Sequence, residues 1–191
     1  MKKNIVTAIL VLACVTSFSQ AKTPPLTDGA ALLFKNTKSK LTNDEKNWIF
    51  KQINFTLSKD KKHFMSDDNE VGIQVYVTDL NKDKNEEVFV VMESAALYGN
   101  TGQDFILYTK NQKGILERDP ELGSGIPMVL NSKGPGYPDI AIGGPGFDFP
   151  VYHWDGKKYK YLKKLKDADL QSGKARYMDL SECSKLYADS F

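Results

Sequence analysis

Residues 71–92 read VGIQVYVTDLNKDKNEEVFVVM, and how this stretch is read decides the fold. Val71, Ile73, Val75 and Val77 alternate with Gly72, Gln74, Tyr76 and Thr78, the period-two pattern of a strand with one buried face. Val88 to Met92 is an unbroken apolar run and reads as a second strand. Between them Asp79, Asn81, Asp83, Asn85 and Glu87 fall at positions 1, 3, 5, 7 and 9 of an acidic loop. Oxygen-bearing side chains at 1, 3, 5 and 9, with a carbonyl available at 7, suit a hard cation that takes six to eight oxygen ligands. These five residues are the candidate metal ligands, and Ca2+ is the cofactor they imply. A solvated hairpin loop, its acids balanced by Lys82 and Lys84, fits the same letters.

Working outward, the N-terminus reads as an export signal over residues 1–21. Lys2 and Lys3 make a positive n-region, Ile5 to Val15 is mostly apolar, and Ser19-Gln20-Ala21 offers small residues for cleavage before Lys22. Cleavage before Cys14, as a lipid anchor, is the alternative. Leu12 is bulky for that motif and the apolar core would be short, so the soluble periplasmic or secreted form is preferred. The apolar run is too short to span a bilayer comfortably, and no later segment approaches that length.

Without the leader about 170 residues remain, enough for one compact domain with a real core. The sequence has 26 basic and 24 acidic residues, and loss of Lys2 and Lys3 balances them. A nucleic-acid binder would carry a basic excess, so nucleic acid is not an expected partner. Of the two cysteines only Cys183 survives cleavage at Ala21, which excludes an internal disulfide.

Residues 22–40 open with Thr23-Pro24-Pro25 and read as a tether, with Ala30 to Phe34 as a short helix or apolar plug. Thr42 and Glu45 stand at capping-box spacing before Trp48, Ile49 and Ile53, which recur at helical spacing. Asp104 to Thr109, Ile115 to Glu117 and Ile126 to Leu130 read as strands. Val151 to Trp154 turns at Asp155-Gly156 and returns through Lys158 to Leu162. A last strand is expected near Arg176 to Leu180. The fold class is α+β and mainly β: an N-terminal helix packed on an antiparallel meander of about 7–9 strands, a partial propeller-like curved sheet. Residues 41–191 form a single β-rich domain.

Asn131, Lys133, Pro135, Gly136 and Asp139 repeat the acidic loop at positions 1, 3, 5, 6 and 9, with the oxygens at 3 and 5 lost. That copy should hold its shape without calcium, and the pair points to two related β units. Gly143 to Pro150 is the most glycine-dense stretch. No Gly-Lys-Ser/Thr follows it, so it is a strained connection and not a phosphate cradle.

The loop from Asp79 to Val88 resembles the calcium loops of FG-GAP and VCBS-type repeats. Leu41 to Asn47, Tyr98 to Gln103, Gly125-Ile126-Pro127 and Tyr137 to Phe147 together resemble an uncharacterised family of small exported bacterial proteins. The resemblance implies an extracytoplasmic β-rich domain and no established activity. Two departures stand out. Such loops favour glycine at position 6, where this chain has Lys84; a lysine in left-handed geometry costs about 1 kcal/mol. A cysteine is expected near Asp148, so by resemblance Cys183 has lost its usual partner. An EF-hand is ruled out, because its bidentate glutamate would fall on Val90.

Catalytic groups are sparse. There is no Gly-x-Ser-x-Gly elbow, no His-Glu-x-x-His and no paired-cysteine zinc spacing, and His63 and His153 stand apart. Phe147, Phe149, Tyr152 and Trp154 cluster beside the glycine-rich stretch, while Tyr98 and Asn100 sit in another loop. Strand alternation is expected to bury some of these aromatics, with Tyr152 and Trp154 on opposite faces. Tyr98, Asn100, Phe147 and Asp148 are the candidate partner-binding residues. The expected function is a non-catalytic module that binds another extracytoplasmic protein, for example an inhibitor or immunity protein against an envelope-targeting toxin. The alternative is a hydrolase of envelope glycans using a carboxylate pair such as Asp104 and Asp148.

Overall fold

The computed structural model describes residues 23–131, 136–144 and 148–191. The expected signal peptide, with the alternative anchor at Cys14, lies outside these residues, and so does Phe147. No helix among the described residues is long and apolar enough to cross a membrane.

The described chain is mainly β, with eleven strands in two antiparallel sheets and five helices. The first sheet runs in chain order through β1 (Thr56–Leu57), β2 (Phe64–Ser66), β3 (Asn69–Thr78), β4 (Glu87–Glu93), β5 (Gln103–Lys110) and β6 (Leu116–Arg118). β3 and β4 form the hairpin around the acidic loop, with Val77 opposite Val88 and Thr78 opposite Glu87. The second sheet continues with β7 (Ile126–Leu130), β8 (Ile140–Gly143), β9 (Phe149–Trp154) and β10 (Tyr159–Leu165). β11 (Tyr177–Met178) returns to pair with the free side of β7.

The expected single meander is therefore corrected to two sheets, and the strand count is higher than expected. The break has a local cause in the segment between β6 and β7. Pro120 lacks the N–H needed to continue a ladder. Gly125 holds φ at 140°, and a Cβ there would stand 2.5 Å from the Gly143 carbonyl oxygen. Only glycine fits that approach.

Strand β4 explains the layering. Its residues are buried on both faces, which is why the sequence shows a continuous apolar run instead of alternation. Val88, Val90 and Met92 join a cluster with Ile106, Tyr108, Ile49 and Ile53. Phe89 and Val91 join another with Val129, Ile140, Ile142 and Tyr159 of the second sheet. A third cluster (Met128, Ala141, Val151, Leu165) lies on the other face of the second sheet, with Leu170 of α4 (Asp167–Gln171) packed against it.

Helix α2 (Asn43–Ile53) carries Ile49 and Ile53 into the first cluster. Its start is the capping box read from the sequence: Thr42 Oγ1 accepts the Glu45 N–H at 3.2 Å and Glu45 Oε2 accepts the Thr42 N–H at 2.8 Å. Glu45 also meets Lys110 of β5 at 2.7 Å. Segment 22–40 contributes α1 (Asp28–Leu33), capped by Thr27, and places Leu33 and Phe34 in the same cluster as Leu41.

Two local expectations are corrected. The strand expected near Arg176 to Leu180 is only β11, because Asp179 caps a helix, α5 (Leu180–Ala188), by accepting the Glu182 N–H at 2.8 Å. Tyr152 and Trp154 pack on the same inter-sheet cluster, since residues two apart on a strand share a face.

Tyr108 is fully buried edge-on to Trp48, yet its hydroxyl has no hydrogen-bond partner among the described residues. An orphaned buried hydroxyl carries its desolvation cost uncompensated. Tyr108→Phe is therefore expected to raise stability by about 1 kcal/mol in urea denaturation; a loss of that size would mean the hydroxyl has a partner.

Candidate functional site

The acidic loop is wound by its own side chains. Asp79 Oδ2 accepts the Lys84 N–H at 3.0 Å, Asn81 Oδ1 accepts the Asp83 N–H at 3.1 Å, and Asp83 Oδ1 accepts the Asn85 N–H at 2.7 Å. The Asn81 amide donates to Asp83 Oδ2 at 2.9 Å. This winding forces Lys84 to φ 72° and Lys82 to φ 60°. The left-handed strain expected at position 6 is thus present, and Lys82 shares it.

Glu87 closes the loop and is wholly buried. Its Oε2 accepts the Leu80 N–H at 2.6 Å and its Oε1 accepts the Tyr137 hydroxyl at 2.8 Å, tying the loop to the second sheet's side of the core. Burial pushes the Glu87 carboxyl up to about 8; the two hydrogen bonds oppose this, and the charges of Asp83 and Asp79 add to it. The Tyr137 hydroxyl is raised by burial and by Glu87. Burial would also raise Asp83, but hydrogen bonds from Asn85 and Asn81 outweigh it and hold that carboxyl below its ordinary value.

Among the described residues no three His, Cys, Asp or Glu side chains gather as a metal-holding group. Three of the expected ligands are nonetheless close enough for Asp79 and Asp83 to act electrostatically on Glu87. Asp79 Oδ1 is buried and has no hydrogen-bond partner among the described residues. That orphaned oxygen, in an all-oxygen donor set, is of the kind a hard cation takes.

Glu86, which sequence reasoning passed over, is 3% exposed and holds four donors. It accepts from Ser39 Oγ at 2.8 Å, Lys40 N–H at 2.7 Å, Leu41 N–H at 3.0 Å and the Tyr187 hydroxyl of α5 at 2.9 Å. The loop's two terminal glutamates therefore fasten different parts of the chain. In the second loop, Gly136 takes φ 99°, and Asp139 meets His153 Nδ1 at 2.7 Å. Lys133 and Pro135 lie outside the described residues.

The partner-binding candidates fall in two loops that meet. Tyr98 ends α3 (Ala95–Tyr98) and is half-buried against the first core cluster, while Asn100 and Asp148 are exposed. A Cβ on Gly144 would stand 3.5 Å from Thr101 Cγ2. Thr101, Ser124, Gly144 and Asp148 line a common cavity of about 290 Å³. The aromatic members Tyr152 and Trp154 are instead committed to the core, where Trp154 lies 4.3 Å from Tyr137 between ring centroids.

Comparison with protein-family models, curated proteins and solved structures found no match.

Proposed function

We propose that the protein is an exported, non-catalytic β-rich module that binds another protein outside the cytoplasm through the loop after β4 and the one after β8. The observation that carries this reading is the meeting of these loops, which are far apart in sequence, at Thr101 and Gly144. Exposed Leu97 of α3 lies three residues before Asn100, so an apolar side chain accompanies polar ones, as in the patches that protein partners cover. The sharpest version is an inhibitor or immunity protein against an envelope-targeting toxin. The test is capture of an envelope protein by the wild type and by the Asn100→Arg/Asp148→Arg double variant. Specific capture by the wild type, lost in the variant, is the expected result. Turnover of peptidoglycan that Asp148→Asn abolishes would replace this reading with the hydrolase.

We also propose kinship with the FG-GAP and VCBS-type calcium-loop repeats. It is supported by β3 running into Asp79 as β7 runs into Asn131, and by left-handed backbone at both sixth positions, Lys84 and Gly136. Each loop also opens a four-strand meander, β3–β6 and β7–β10, the unit of a propeller-like arrangement. Asp79, Asn81, Asp83, the Asn85 carbonyl and Glu87 would hold Ca2+. The ion would supply the positive charge that this cluster of acids lacks, in a structural role.

A further inference from the structure

A cavity of about 630 Å³ opens at the start of the acidic loop, within the size range of small-molecule sites. Its walls are largely apolar: Leu80 from the loop, Val129 and Leu130 from β7, Met178 from β11, and Cys183 and Leu186 from α5. Asp79 is the one carboxylate among its described lining residues. Lys82 also lines the cavity, yet no ion pair joins it to Asp79 among the described residues. Cys183 also lines the cavity, and its thiol is pushed up to about 11, chiefly by burial and then by the charges of Glu182 and Asp179. An apolar chamber whose one described carboxylate keeps a buried oxygen without a hydrogen-bond partner selects for positive charge on an apolar body.

We infer that this cavity binds a small cationic amphiphile, its ammonium or guanidinium group beside the Asp79 carboxylate and its apolar body along Leu80, Leu130, Met178 and Leu186. The inference stands apart from the partner-binding reading, since the cavity adjoins the loop that precedes β4 and the partner candidates follow β4 and β8. It does not require calcium, and the test is run in chelator so that no divalent ion competes for Asp79.

The probe is n-octylammonium, titrated calorimetrically against the full chain beside n-octanoate and n-octanol. Saturable one-to-one binding of the amine is expected, about tenfold or more tighter than the carboxylate or the alcohol. Asp79→Asn should weaken it by about tenfold. Met178→Trp should weaken it by narrowing the chamber, and Leu186→Trp, at a half-exposed position that does not threaten folding, should weaken it as well. No saturable binding of the amine overturns the inference. So does equal affinity for octanoate or octanol, or an amine affinity that neither Asp79→Asn nor Leu186→Trp alters.

Discussion

Glu86→Ala is expected to destabilise the protein by about 3–5 kcal/mol, a large share of the stability of an ordinary domain. The carboxylate is almost wholly buried and is the common acceptor for the Ser39 hydroxyl, the Lys40 and Leu41 amides and the Tyr187 hydroxyl. Its removal strands four donors at once, and each buried donor left without a partner costs about 1–3 kcal/mol, less where water can reach it. Two chain segments also lose their tie: residues 39–41 ahead of α2, and α5 near the C-terminus. Glu86→Gln keeps one acceptor oxygen and should fall between alanine and wild type. Urea denaturation measures both, and hydrogen exchange should show α5 opening first in the alanine variant. A loss under about 1 kcal/mol would mean that these donors are satisfied by water.

Glu87 should make stability fall as pH rises, the reverse of an ordinary salt-bridged carboxylate. Its carboxyl titrates at about 8 in the fold against an ordinary value of 4.5, so between those values the folded chain holds a proton that the unfolded chain has lost. Stability from this group is fully present below the lower value, declines through the interval and levels off above the upper one. The decline is on the order of 5 kcal/mol when no cation is bound. Glu87→Gln mimics the protonated form: its carbonyl can accept the Leu80 N–H while its amide faces the Tyr137 oxygen. It should match wild type near pH 5, exceed it near pH 9 and remove most of the slope. Parallel melts of the two proteins in chelator give the answer. A wild-type curve with no such slope would place a counter-charge beside Glu87.

The hairpin at the centre of the fold was legible because its signals are local: alternation in β3, an apolar run in β4 and polar residues between them. The same holds for the capping box at Thr42 and the turn at Asp155-Gly156. Helix α5 was legible in principle, since Asp179 and Glu182 stand at capping spacing and Leu180, Cys183 and Tyr187 recur on one face. The lysines and acids between them masked that stripe. The second sheet was not legible, because Pro120 to Gly125 looks like one more turn. Only the close approach of Gly125 to Gly143 shows that the ladder ends there. Glu86 was hidden for a related reason. It sits in a charged run that reads as solvated, and its partners lie 45 to 47 residues before it and 101 after it. The meeting of the Asn100 and Asp148 loops has the same character, since their separation in sequence leaves no local trace.

The most direct test of the loop as a cation site is calorimetric titration of Ca2+ into chelator-treated protein at neutral pH, repeated with Asp79→Asn. One saturable site should appear in the wild type, with a higher melting temperature when loaded, and both should vanish in the variant. Absence of heat and of any melting shift in the wild type would contradict the claim and leave a hairpin loop closed by its own amides and lysines.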